Sequence, residues 1–128
     1  MIIPNVNHTL PMTITEHHIS EALILTLEGS LDLSSKPKFM KAIHRAIQDN
    51  YSHVMVNLEH IIFTDSGAIG MLVMAYHKLT LHHRRFSLLS PSPSLISQLE
   101  AVNFPRIIPI YESLEAALTR KVFPFSVV

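Results

Sequence analysis

The segment with the clearest capacity for chemistry is Thr64-Asp65-Ser66-Gly67, where a serine hydroxyl directly follows a carboxylate. After it, apolar side chains recur at the i, i+3, i+4 and i+7 spacing of a helix, namely at Ile69, Leu72, Val73 and Tyr76. A helix is therefore predicted to begin close to Ser66, with Asp65 and Ser66 as candidates for its N-cap. Because a loop that leads from a sheet into a helix lies on the surface, the Ser66 hydroxyl is expected to be reachable.

A phosphate on Ser66 would change the charge of this surface more than the stability of the fold. It would add about −1.5 to −2 charges, and the helix dipole would offset about 0.3–1 kcal/mol of the cost. Asp65 carries the same sign, so a partner fitted to the unmodified surface would be repelled. The simpler alternative is that Ser66 only caps the helix, which is worth about 1 kcal/mol.

Other residue types that often carry chemistry do not form recognisable sites in this sequence. The nine histidines show no convincing ligand spacing, so structural or surface roles are expected for them, with no metal and no cofactor. The three glycines, Gly29, Gly67 and Gly70, match neither a phosphate-binding loop nor a nucleophile elbow. The chain is therefore predicted not to be an enzyme, although a hydrolase that uses Ser66 with a distant histidine stays open.

Composition and charge restrict the class of protein further. Ten basic and ten acidic residues cancel, and no sustained basic face is present, so nucleic-acid binding is not expected. The absence of cysteine agrees with a reducing compartment. No secretory signal is evident at the amino terminus, and the longest apolar run, Ala68 to Ala75, is too short to cross a bilayer. A cytoplasmic protein without direct membrane insertion is expected.

The order of predicted elements favours an α/β class. Strands are predicted at about residues 12–16, 21–29, 53–58, 86–89 and 107–110, and helices at about 35–50, from 66 onward, 93–103 and 113–118. The alternation predicts one layered domain over residues 1–128, with a mixed, mostly parallel sheet covered by about four helices. Pro109 places the last strand at a sheet edge. The apolar tail 120–128 could pack back on the core, which covers about residues 12–119.

Three patterns in this order resemble the STAS domain of anti-sigma-factor antagonists. The first is Leu27-Glu28-Gly29-Ser30-Leu31-Asp32, similar to the strand-ending Gly-x-Leu-Asp of that family. The second is Val56-Asn57-Leu58 followed by Phe63-Thr64-Asp65-Ser66. The third is Ser90-Pro91-Ser92-Pro93, then Phe104 to Ile110 and Tyr111 to Ala117. The resemblance spans roughly residues 12–119 and implies a single STAS domain.

The resemblance implies partner-switching signalling controlled by phosphorylation. In such proteins the serine after the aspartate, here Ser66, is phosphorylated by a partner serine kinase. The expected partners are that kinase, an anti-sigma factor of the histidine-kinase-like ATPase type, and a serine phosphatase. The alternative is a STAS subunit of a membrane transporter complex, which would bind an ATPase or a lipid-handling partner.

The resemblance also assigns the residues around the phosphosite. Its neighbours would be Asp65, Gly67, Thr64 and Asp32, the last of these at the end of an adjacent strand. The helix after Ser66 would face the partner, with contacts expected from Ala68, Met71 and Met74. Gly67 and Ala68 depart from the usual family pattern of Ser, Thr or Ala followed by Gly.

Overall fold

The computed structural model describes residues 11–106 and 108–119 and shows one five-stranded sheet whose spatial order follows the chain. The strands are β1 (Thr13–Ile19), β2 (Ala22–Leu31), β3 (His53–Thr64), β4 (Arg85–Leu89) and β5 (Ile110–Tyr111). The first pair, β1 and β2, is antiparallel, and every later pair is parallel. The predicted mixed, mostly parallel sheet is confirmed.

Four α-helices connect or follow the strands, as the sequence pattern predicts. They are α1 (Lys36–Gln48), α2 (Ser66–Leu81), α3 (Pro93–Ala101) and α4 (Leu114–Leu118), with short 3-10 turns at Leu33–Ser35 and Phe104–Arg106. Serine side chains cap the last two helices: Ser92 accepts from Leu95 N at 3.1 Å and Ser113 from Ala116 N at 3.0 Å. These caps satisfy backbone donors that a helix start leaves unpaired.

The two faces of the sheet bury unequal cores. The larger core packs α1, α2 and α3 against one face, and it includes the fully buried Leu25, Val54 and Val56. The opposite face carries a smaller cluster with Met55 and Tyr111, against which residues of α4 pack. Consecutive residues of β3 are thus buried on both faces, as is typical of a central strand in a covered sheet. Each such side chain contributes about 1.5–3 kcal/mol through burial.

Two strand boundaries differ from the sequence prediction. Strand β3 continues to Thr64 rather than ending near position 58, because β2 shifts register twice and keeps pairing with it. Gly29 lies beside one of these shifts at φ +103°, and a Cβ there would collide with the carbonyl of Pro11. At the other edge, β5 begins at Ile110, directly after Pro109, which cannot donate to a ladder. The predicted packing of the tail 120–128 lies outside the described residues.

Candidate functional site

Strands β2 and β3 end side by side, and this brings two aspartates to one edge of the sheet. The last paired residues are Leu31 and Thr64. Asp32 and Asp65 follow them directly, and each begins a helical segment. Because the strands are parallel, the two helix starts lie at the same end of the sheet, as the sequence analysis expected.

Asp65 is the N-cap of α2. Its backbone is extended, at φ −120° and ψ −175°, and its Oδ1 accepts a hydrogen bond from Gly67 N at 2.8 Å. Its carbonyl accepts from Ala68 N at 3.0 Å. Ser66 is consequently the first residue inside the helix and not the cap, so the interpretation of Ser66 as a plain N-cap is wrong.

The Ser66 side chain forms no hydrogen bond that stabilises the described part of the chain. The residue is exposed, and no described group forms a hydrogen bond with its hydroxyl. No histidine or carboxylate among these residues is bonded to it as a base would be. The hydroxyl therefore contributes no side-chain hydrogen bond to the fold among the described residues.

Asp32 is mainly structural. It is 7% exposed, and its Oδ1 accepts from Ser34 N at 3.0 Å and from the Ser34 hydroxyl at 2.5 Å. Ser35 completes a capping box, since its hydroxyl accepts from Asp32 N at 3.0 Å and donates to Asp32 O at 2.7 Å. This turn places Leu33 close to the first turn of α2. A Cβ placed on Gly67 would lie 3.6 Å from Leu33 Cβ.

An open groove of about 640 Å³ runs from the first turns of α2 to the end of α3, and it is named here the Ser66 groove. Its lining residues are Thr64, Asp65, Ser66, Ile69, Gly70, Gln98, Ala101 and Val102. Val102, an apolar residue of this groove, is 51% exposed. A second groove, lined in part by Ile61 and Ile62, shares Thr64 and Gln98 with the first, so the two surfaces are continuous. Ser66 thus borders an exposed surface with substantial apolar content.

Two of the predicted partner contacts are corrected by the structure. Ala68 is 0% exposed and Met71 is 1% exposed, because both lie on the side of α2 that packs into the larger core. Neither side chain can touch a partner. Met74 is 44% exposed, which leaves its predicted contact possible. The Cβ of Ala68 therefore points into the core and does not obstruct a partner.

The sequence analysis also missed residues that shape the groove. Gly70 is exposed, and a Cβ placed on it would meet nothing within 4 Å. An isolated glycine within a helical pattern can indicate a packing or functional role, because glycine lowers the stability of a helix interior. Ile62 is 69% exposed, but it lay beyond the predicted end of its strand.

Neither a cluster of metal-ligating side chains nor a membrane-spanning helix is found among the described residues. No group of three or more histidine, aspartate or glutamate side chains there is arranged to hold a metal ion. None of the described helices combines the length and apolar character needed to span a membrane.

Comparison with known proteins identifies the family. Residues 11–117 match the model of the STAS domain, so the chain belongs to the STAS domain family. It is similar to a curated anti-sigma F factor antagonist of Paenibacillus polymyxa, with 27% identity over 105 residues, which cover 81% of this chain and 89% of that protein.

Solved structures agree with this fold. SpoIIAA, a cell fate determinant of Bacillus, in its phosphorylated form has a TM-score of 0.68 at 23% identity, covering 84% of this chain and 98% of its own. A sulfate transporter family protein of Wolinella succinogenes has a TM-score of 0.69 at 12% identity, covering 78% and 84%. At these identities the likeness establishes the shared fold.

Proposed function

We propose that this chain is a regulatory binding module of the anti-sigma-factor-antagonist type, in which phosphorylation of Ser66 controls partner binding. The observation that carries the proposal is the position of Ser66: an exposed hydroxyl at the first residue of α2, relieved of capping by Asp65 and bordering an apolar groove. Membership of the STAS family and the name of the Paenibacillus relative support the same class of function.

The Ser66 groove is the proposed docking surface for the anti-sigma factor. Its apolar rim includes Ile69 and Val102, and the exposed Ile62 continues it. Burying such apolar surface favours association through the hydrophobic effect, and only the surplus over the entropy cost of binding appears as affinity. Gly70 leaves open space where another residue would project a side chain, so a partner group can approach the helix backbone closely.

Phosphorylation would oppose this docking electrostatically. The new phosphate would lie next to the Asp65 carboxylate, and no lysine or arginine is among the residues that line the groove. Two unit charges 4 Å apart repel by about 1 kcal/mol in bulk water and about 4 kcal/mol at an effective dielectric constant of 20. Since about 1.4 kcal/mol is a tenfold change in affinity, a partner carboxylate near the phosphate would weaken the complex roughly 5- to 1,000-fold.

The chain acts in this scheme as a substrate and binding partner, not as an enzyme. A serine kinase of the histidine-kinase-like ATPase type transfers the γ-phosphoryl group of ATP to Ser66 Oγ, with ADP as leaving group and the hydroxyl proton passing to a base of the kinase. A serine phosphatase hydrolyses the ester and restores the hydroxyl. The chain itself supplies only the accessible hydroxyl and the surface around it.

Phosphorylation is tested by incubating the protein with ATP and the serine kinase from its host, followed by mass spectrometry of the peptides. Phosphate is expected on Ser66 and is expected to be lost in Ser66→Ala. Ser97→Ala is the matched control, because Ser97 is an exposed serine of α3 that does not line the groove. Incorporation that persists in Ser66→Ala would overturn the assignment of the site.

Binding is tested by calorimetry against the same kinase. Ser66→Asp is expected to weaken binding at least roughly tenfold, whereas Ser97→Asp adds the same charge elsewhere and should change affinity less than about twofold. Equal affinity of Ser66→Asp and the unmodified protein would refute the switch. If the protein instead co-purifies with transporter subunits, the transporter-associated role would replace the one proposed.

A further inference from the structure

A second cavity lies at the opposite end of the sheet from Ser66, where β3 and β4 begin. Its volume is about 240 Å³, and it is lined by His53, Tyr76, Thr80, Arg84, Arg85, Phe86, Ser87, Pro109 and Tyr111. The cavity follows from the shortness of β5, which pairs only with Leu88 and Leu89 of β4. The first residues of β4, from Arg85 on, therefore lie before that ladder begins.

The lining of this cavity is cationic and rich in hydroxyl groups. The sequence neighbours Arg84 and Arg85 both line it, together with serine, threonine and tyrosine side chains, and no aspartate or glutamate is among the lining residues. Within the described ranges, neither arginine has a carboxylate oxygen within 4.0 Å. The positive charge is therefore not neutralised by an internal ion pair there.

The arginine that begins this segment is held in place but is incompletely hydrogen-bonded. Arg84 N donates to Leu79 O at 2.8 Å, and Nη2 donates to Asn50 Oδ1 at 3.2 Å. Its Nε is buried and has no hydrogen-bond partner among the described atoms. A guanidinium offers five N–H donors, and within the described ranges Asn50 is the hydrogen-bond partner of this side chain.

The polar side of the cavity is also organised. His53 Nε2 and Ser87 Oγ are 2.6 Å apart, which fixes both side chains at the start of their neighbouring strands. Ser87 is 1% exposed, an unusual position for a serine unless a polar neighbour is present. The groups that would contact a ligand are thus placed by β3 and β4 and not by a free loop.

We propose that this cavity binds a small phosphate-bearing ligand, namely inorganic phosphate or the phosphate monoester of a small alcohol. Arginine is suited to this chemistry because its planar fork donates two parallel hydrogen bonds to phosphate oxygens. The volume is below the roughly 300–1,000 Å³ of sites for drug-sized ligands, which suits a small phosphate-bearing ligand. The site is distinct from the Ser66 groove and does not depend on the function proposed for that groove.

The proposal is tested by amide-resolved NMR titration with inorganic phosphate at constant ionic strength. Saturable shifts are expected at Arg84, Arg85 and Ser87, and glycerol 3-phosphate should shift the same amides. Acetate, a single carboxylate at the same ionic strength, should bind at least roughly tenfold more weakly. Equal binding of acetate, or shifts that map elsewhere, would overturn the proposal.

Variants separate this site from general attraction of anions. Arg84→Gln and Arg85→Gln are each expected to weaken phosphate binding at least roughly tenfold, and Arg85 is exposed, so its replacement should leave the fold intact. The control is Arg45→Gln. Arg45 lines a different cationic groove together with Lys38, and its Nη2 lies 3.7 Å from Glu16 Oε2. The proposal would be contradicted if Arg45→Gln weakened phosphate binding as much as the cavity variants do. It would also be contradicted if both cavity variants bound phosphate as tightly as the unmodified protein. Ser66→Ala should bind phosphate unchanged.

Discussion

Substitution of Gly70 should change stability and partner binding in opposite directions. A Cβ at this position meets nothing within 4 Å, so alanine introduces no clash and only improves helix propensity. Replacing an interior helix glycine by alanine is worth about 0.5–1 kcal/mol. For a domain of this size, Gly70→Ala should raise the midpoint of thermal unfolding by about 2–5 °C.

A larger side chain at the same position should damage docking. Gly70→Leu keeps a good helix former but projects an isobutyl group into the Ser66 groove, where a partner side chain is proposed to lie. Overpacking of a fitted surface costs about 1–3 kcal/mol, which corresponds to a roughly 5- to 150-fold weaker complex. Because the helix is not destabilised, weaker binding could not be attributed to misfolding.

The assay combines calorimetric titration with the partner kinase and thermal unfolding monitored by circular dichroism. Ser97→Leu serves as the control, since it adds the same side chain to an exposed position of α3 outside the groove. It should leave affinity within about twofold of the unmodified protein. If a stable Gly70→Leu protein bound the partner with unchanged affinity, the partner would dock elsewhere. If Gly70→Ala were less stable than the unmodified protein, the claim that a Cβ at this position meets open space would be refuted.

Further substitutions test the division of roles along α2. Asp65→Ala should lower the free energy of unfolding by about 1 kcal/mol through loss of the cap, whereas Asp65→Asn should be nearly neutral, as urea denaturation can show. Ser66→Ala should change that free energy by less than about 0.5 kcal/mol, and a larger loss would reveal a structural role of the hydroxyl. Met71→Ala should cost about 2–5 kcal/mol because it opens a cavity in the core. Met74→Ala, at an exposed position, should cost under about 1 kcal/mol in the same experiment.

The parts of the fold that the sequence predicted are those in which local pattern and tertiary burial agree. The alternation of apolar and polar residues indicates β2, and the consecutive apolar residues Val54 to Val56 are typical of a strand buried on both faces, which β3 is. Capping residues also indicate helix starts, because Ser92 and Ser113 each accept a hydrogen bond from a backbone N–H only three residues further along the chain. The extension of β3 was missed because it depends on register shifts in its neighbour β2, which no local pattern announces.

The candidate site was predicted in its location but only partly in its details. The aspartate and serine signal placed the helix start within one residue. The partner face was misassigned because α2 is apolar on more than one side, so periodicity alone could not tell the buried Met71 from the exposed Met74. The contribution of Val102 was missed because α3 and α2 are brought together only by the tertiary fold.

The division of work between Asp65 and Ser66 explains how one short segment can serve both stability and regulation. If Ser66 were the cap, a phosphate there would remove a bond that starts the helix, and each change of state would shift the folding equilibrium. Because Asp65 accepts the bond from Gly67 N, the helix start is satisfied whether or not Ser66 is modified. The free energy of the modification is then expressed mainly at the surface, where it can alter docking. The Asp65→Asn variant keeps the cap but removes the charge next to Ser66. When phosphorylated on Ser66, this variant should therefore repel the partner less than the phosphorylated unmodified protein does, and its stability should be unchanged.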